Sequence, residues 1–261
     1  MKTMSEITGH TLTEFAMAPD KNRPHPSCSV GIEVEVEGFK ELTSSAMRRL
    51  SLWKLVKDGS LRNGCEFVSQ PVWGTGIADA LDQLEKQFEV KKPISSLRTS
   101  VHIHLNVLDL SYVEVERLLK ISVLYEPALF RMHDKWQRYE NIFCVPTCKS
   151  SAIQDGYTQL LYDLRDERIT GPYVPSKYAA VNPNSIAEIG TIEFRHMGGT
   201  SDVKEILSWI DVILQMKVAA SSGVKYTDPQ EVFGEQYGKL DIHEEDIQRG
   251  LDVVQYIKMR N

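Results

Sequence analysis

The chain has 261 residues, 42% hydrophobic and 25% charged, the balance of a globular protein long enough to bury a full core. A formal net charge of −6 leaves no general electrostatic footprint for nucleic acid, and no apolar run approaches the roughly 20 residues of a membrane-spanning helix. Met1 to Asp20 carries charges throughout, without the apolar core of a secretion signal, and the four cysteines form no CxxC pair, so reduced thiols and a cytoplasmic location are expected.

Residues 1–28 are polar, end in NRPHPS and are expected to form an N-terminal lead-in. Ser29 to Gly38 (SVGIEVEVEG) reads as a strand in which Val30, Ile32, Val34 and Val36 alternate with Glu33, Glu35 and Glu37. A short helix is expected near Glu41 to Ser51, then two strands, Trp53 to Lys57 and Cys65 to Ser69, joined by the turn-rich DGSLRNG. Ile77, Leu81, Leu84 and Phe88 recur at helical spacing over Thr75 to Val90, and Pro93 closes that helix. Ser100 to Val107 (SVHIHLNV) is a second alternating strand. Ser111 and Glu114 make a capping-box pattern for a helix running toward Pro127, and another helix is expected over Ala128 to Tyr139.

Residues 145–175, punctuated by Pro146, Gly156, Gly171, Pro172 and Pro175, are less regular and read as an active-site flap or insertion. Tyr178 to Val181 and Thr191 to His196 (TIEFRH) read as strands, Ser201 to Ala220 as a long apolar-periodic helix, and Glu244 to Lys258 as a final helix. No internal repeat is present. About six strands, hairpin-linked or separated by single helices, predict an α+β fold: an antiparallel sheet with helices on one face and a charged active-site face opposite. One catalytic domain over 29–222 is expected, with 223–261 as a C-terminal helical extension packed on it.

Three of these strands put metal-ligand residues on one face. Successive side chains of a strand alternate, so Glu33, Glu35 and Glu37 stand in one row about 6 to 7 Å apart and repel one another unless cations sit among them. A solvated edge strand would show the same row, and Gly38 ends the strand beside Glu37. His102 and His104, at i and i+2, can reach one metal or two adjacent groups. Zinc enzymes use such pairs too, but several carboxylates and few thiols favour Mg²⁺ or Mn²⁺. Glu193 and Arg195 place an acid beside a fixed cation, either as a surface ion pair or as a metal ligand next to a phosphate-binding guanidinium. Glu66 interrupts an otherwise apolar strand, and Lys177, Tyr178 and Asn182 could meet an anionic substrate or simply begin a strand. Cys144 and Cys148 are a weaker metal pair. No GxxxxGK[ST] loop or GxSxG elbow occurs, and WGTG is too short for a dinucleotide fingerprint, so a bound nucleotide would be held by cations and Arg or Lys.

Taken together, GIEVEVEG, DGSL followed by GCEFVSQP, SVHIHLN, RYENIFC, KYAAVNP and GTIEFRHMGGT resemble, in order and over about residues 29–200, the amidoligases of the glutamine synthetase and glutamate–cysteine ligase superfamily. The resemblance implies a glutamine synthetase-like catalytic domain that forms an amide or isopeptide bond: ATP phosphorylates a carboxylate and an amine attacks the acyl phosphate. It implies Mg²⁺ (or Mn²⁺) on Glu33, Glu35, Glu66, His102 and Glu193, with His104 nearer the phosphates and Arg195 stabilising the transferred phosphoryl group. By the same resemblance Asp58 and Ser60 lie by the substrate, and Arg138, Asn141 and Lys177 are further candidates for substrate or nucleotide contact. A stand-alone prokaryotic or phage ligase in the cytoplasm (the host's, if phage-encoded), acting on a peptide or small amino compound, is the corresponding expectation, with no nucleic-acid or membrane partner; the oligomeric state stays open. Two other readings stand beside it: a metal-dependent hydrolase built on the same Glu/His cluster, and a non-catalytic binding module with a charged sheet face.

Overall fold

Alternation in the glutamate-rich strand separates two environments: Ile32, Val34 and Val36 are fully buried, while Glu33 and Glu37 on the other face stay partly open. The structure, a computed structural model, describes residues 1–10, 26–39, 44–133, 135–175 and 178–259. Its strands are β1 (Val30–Glu37), β2 (Trp53–Val56), β3 (Gly64–Ser69), β4 (Ser100–Asn106), β5 (Val181–Asn182) and β6 (Thr191–Gly198). They form one six-stranded sheet in the order β2-β3-β1-β4-β6-β5, every neighbouring pair antiparallel.

The helices are α1 (Met4–Thr8), α2 (Ser44–Arg49), α3 (Thr75–Val90), α4 (Tyr112–Leu124), α5 (Glu126–Met132), α6 (Ser151–Arg165), α7 (Ser185–Ile189), α8 (Val203–Ser222), α9 (Pro229–Phe233) and α10 (Glu244–Met259). Helix α3 supplies Ile77, Leu81, Leu84 and Phe88 to the core, as their spacing requires, and Phe88 closes an edge-to-face cluster with Phe39 and Phe67. Helix α8, capped by Asp202 and ended by Gly223 in the left-handed conformation, buries Ile206, Trp209, Ile210 and Ile213. Helix α4 packs on α8, and α6 and α10 pack on α4. The resulting α+β arrangement leaves the glutamate–histidine face of the sheet free of these helices. No helix among the described residues is long and apolar enough to cross a membrane.

Several expectations need correction. Residues 151–165 are a regular helix: Ser150 caps it by accepting from Ile153 N, and Ile153, Tyr157, Leu160, Leu161 and Leu164 are buried. These recur at helical spacing, so α6 is a structural support and not an active-site flap. Gly156 lies inside the helix because the chain passes tightly there; a Cβ at that position would stand 2.0 Å from the Tyr173 carbonyl oxygen. The helix expected over Ala128 to Tyr139 stops at Met132 and is followed by a 3-10 segment, Lys135–Glu140. The strand expected over Tyr178 to Val181 shifts to Val181–Asn182, with Ala179 bridging Val145 instead. The polar N-terminus docks through Met4, which is fully buried and whose N–H donates to Leu110 O. The short helix expected near Glu41 to Ser51 is Ser44–Arg49; residues 41–43 lie outside the described residues.

Candidate active site

Strand register assembles the site. Glu33 lies opposite His102 across β1 and β4, and Glu35 lies opposite Glu66 across β1 and β3. His104 and Asn182 flank Glu193 from β4 and β5. Because paired residues on antiparallel strands face the same way, residues up to 160 positions apart in the chain become neighbours on one surface, the floor of a cavity of about 630 Å³.

A β-bulge sets the guanidinium. Val101 pairs with Met197 and Ile103 with Phe194, so His102 alone faces both Arg195 and His196. Arg195 shares the cavity side with Glu193 by alternation, His196 turns into the core against Phe130 and Trp209, and the extra residue returns Met197 to the core face opposite Val101. Desolvation, with Arg138 and His133 adding to it, drives His196 down to about 3, so it is a neutral core residue.

Arg195 is fixed on every side. Its Nη1 pairs with Glu193 Oε1 and lies 3.3 Å from His102 Nδ1, its Nε donates to Phe143 O at 3.4 Å, and its Cζ lies 5.8 Å from the Tyr178 ring centroid. Asn182 Nδ2 donates to the other Glu193 oxygen at 2.8 Å. Burial raises the Glu193 carboxyl, but Arg195, His102 and His104 outweigh it and hold it below its ordinary value.

Ser100 determines which nitrogen of His102 faces the acids. Its Oγ donates its single hydrogen to Glu35 Oε2 at 2.5 Å and so accepts from His102 Nε2 at 2.7 Å. Nδ1 is left 3.1 Å from Glu33 and 3.4 Å from Glu193. It either donates a proton to them or, without it, offers its lone pair to a cation they share. His104 touches Glu33 at 3.3 Å and Thr191 Oγ1 at 3.1 Å. Burial lowers its affinity for a proton, yet the Glu33 hydrogen bond and charge, helped by Glu193, hold it above the ordinary imidazole value. Glu33 answers in kind: burial pushes its carboxyl up, but His102 and His104 hold it well below the carboxylate range.

Glu66 has no such cation. Burial and the charges of Glu33, Glu35 and Asp58 push its carboxyl up to about 8. An acid held this far from its ordinary value by burial and by three neighbouring carboxylates marks a cluster short of positive charge. Three overlapping groups, Glu33–His104–Glu193, Glu33–Glu66–His102 and Glu35–Asp58–Glu66, each bring their ligand atoms within 4.8 Å of one another. Oxygen-rich sets with one imidazole or none suit hard divalent cations better than zinc.

Glu33, Glu35, Glu66, His102, His104, Glu193, Arg195, Asp58 and Ser60 all line this cavity. Asp58 stands with Glu35 and Glu66 among the candidate metal ligands, and its Oδ1 also accepts from Ser60 N at 2.7 Å. Arg138 lies behind the site: it is 1% exposed, and its Nη2 donates to the Arg195 carbonyl at 2.9 Å, so it supports the bulge and does not face the cavity. Asn141 lines a neighbouring groove and donates to Leu97 O. Glu37 is turned to the same groove, accepting from Arg62 N, and is not part of the cluster. Lys177 lies outside the described residues. The two cysteines do not converge on a metal: Cys144 donates to Arg195 O, and Cys148 contacts Tyr139.

Ser100 and Phe143, whose ring meets Tyr178 edge-to-face at the cavity wall, are additions from the fold, although Ser100 shares the alternation of His102 and His104; Tyr178 and Asn182, singled out in the sequence, line the same cavity. The sequence model of a family described as "Putative amidoligase enzyme" matches residues 8–216. No curated protein matches the chain.

Proposed function

The chain belongs to the amidoligase family, and from that premise we propose that it joins a carboxylate to an amine at the expense of ATP, through an acyl phosphate. The observation that carries this reading is the facing of two charge types. Three groups able to hold cations, two acid–imidazole and one all-carboxylate, line the floor of the cavity, and one immobilised guanidinium, Arg195, stands beside them. That is the combination phosphoryl transfer requires, since negative charge spreads over oxygens in the transition state.

Glu33, Glu35, Asp58, Glu66, His102, His104 and Glu193 would hold Mg²⁺ or Mn²⁺. Cations held there would supply positive charge to neutralise polyphosphate oxygens. In the first step a carboxylate oxygen forms a bond to the γ-phosphorus and ADP leaves. In the second the amine nitrogen bonds to the acyl carbon, inorganic phosphate leaves and the amine gives up a proton. Arg195 meets the charge developing on the phosphoryl oxygens, held in place by Glu193, Asn182 and the bulge carbonyl that Arg138 and Cys144 engage. Phe143 and Tyr178 present apolar surface beside it and limit the access of water, which would otherwise hydrolyse the acyl phosphate.

The test is calorimetric and thermal-shift titration of ATP with and without Mg²⁺. Mg²⁺-dependent binding that disappears in Glu35→Ala supports the reading. Absence of nucleotide binding with any divalent cation, together with zinc retained after purification, would replace it with metal-assisted hydrolysis on the same cluster.

A further inference from the structure

An open groove of about 820 Å³ adjoins the active-site cavity, and the two share Arg98 and Phe143. Its surface combines features that are costly to leave facing water. Ile142 is 74% exposed and Leu97 54%, both on the groove wall, and Ile94 just before it in the chain is 58% exposed. Two of the ten large apolar side chains that are exposed among the described residues thus line one groove, which is the pattern of a binding surface. The groove is also where positive charge meets an acidic centre. The cavity is lined by Glu33, Glu35, Asp58, Glu66, Glu188 and Glu193 against two arginines, Arg195 at its floor and Arg98 at the junction. Arg62 joins Arg98 on the groove, both exposed. Glu37, the nearer acid, is engaged by Arg62 N at 2.9 Å, which leaves Glu140 as the other acid on the rim.

We infer that this groove binds a peptide that enters carboxylate-first, its apolar side chains on Leu97, Ile142 and Phe143 and its carboxyl end drawn past Arg62 and Arg98 into the cavity. Arg62 and Arg98 stand on the groove side of a cavity lined by six acids, so a carboxylate is attracted where they stand, which favours this orientation. Apolar contact along the wall supplies affinity without sequence-specific hydrogen bonds. The bound peptide is then the acid partner of the ligase reaction. That assignment rests on the proposed function, whereas the binding itself does not.

The experiment is titration of the metal-free, nucleotide-free protein with an N-acetylated pentapeptide ending in leucine–phenylalanine, as the free acid and as the C-terminal amide. The acid is expected to bind and the amide to bind more weakly. Arg62→Gln and Arg98→Gln are each expected to weaken the acid by roughly three- to fivefold, the scale of an exposed ion pair, and to narrow the difference between acid and amide, which the double variant erases. Ile142→Ser is expected to weaken both peptides alike. Binding of Mg²⁺–ATP is measured separately, and Arg62→Gln and Ile142→Ser are expected to leave it unchanged. Equal affinity for acid and amide, absence of saturable binding of either, or loss of Mg²⁺–ATP affinity in Arg62→Gln would overturn the inference. Peptide binding without any nucleotide binding would leave the groove standing and remove the ligase reading; nucleotide binding without peptide binding would do the reverse.

Discussion

Ser100 Oγ lies 2.7 Å from Nε2 of His102, and because its own hydrogen goes to Glu35, that contact turns Nδ1 toward Glu33 and Glu193. A small hydroxyl thereby decides which atom of the imidazole is available to a cation. Ser100→Ala is expected to weaken Mg²⁺ or Mn²⁺ binding by roughly tenfold, the usual cost of removing a group that orients a metal-binding histidine. It should cost only about 1 kcal/mol of stability, the net worth of a typical hydrogen bond. Cation titration and thermal melts of the variant check both parts; unchanged cation affinity would mean that His102 is not a ligand.

Arg195 stands where charge would develop in phosphoryl transfer. Arg195→Ala is expected to keep the fold and part of the nucleotide affinity while lowering Mg²⁺-dependent ADP release by about 10²–10³-fold, as when a single charge-stabilising donor is removed elsewhere. Arg195→Lys should recover little, because an ammonium group cannot reproduce the fork that engages Glu193, Phe143 O and the Tyr178 face together. A near-normal rate in the alanine variant would remove Arg195 from the chemistry.

Glu66 makes the metal-free protein sensitive to alkali. Its carboxyl is raised from 4.5 to about 8 in the folded state, so as pH climbs the unfolded chain loses this proton first. The group's contribution to stability is therefore full below about pH 4.5 and falls away up to about pH 8. In EDTA, the Tm of Glu66→Gln should rise relative to the wild type between pH 5 and pH 8. Adding Mg²⁺ at pH 8 should restore the wild type and not the variant. Parallel Tm profiles for the two proteins in EDTA would show that the neighbouring carboxylates do not crowd Glu66.

Gly156 offers a purely structural check. Replacing a helix-interior glycine by alanine ordinarily gains up to about 1 kcal/mol. Here the new Cβ would stand 2.0 Å from Tyr173 O, so Gly156→Ala is expected to destabilise the protein by roughly 2–4 kcal/mol as the chain at Tyr173 and Val174 is displaced. Denaturant melts decide between the two signs.

Much of this molecule is legible along the chain because strand alternation is a local property. Val34 against Glu35 and Ile103 against His104 follow from the geometry of one strand, and the long period of Ile206, Ile210 and Ile213 from that of one helix. Helix α6 was equally local, yet Gly156 and the surrounding prolines obscured a clear spacing of buried residues. Arg138 failed differently: it lies within a few residues of the cavity-lining Phe143, and nothing in RYENIFC distinguishes a side chain that faces a substrate from one that holds the backbone behind it.

The sequence by itself determined the family, the α+β class and the residue types of the site, because alternating charge and the motifs that carry it are written into short segments. Tertiary structure alone decided the partnerships: Glu33 with His102, Glu35 with Ser100, Glu193 with Asn182, and the bulge that sets His102 opposite Arg195. Those depend on strand register and on one extra residue in β6. Both are set by how distant strands pair over a shared core, an energy that no single segment contains.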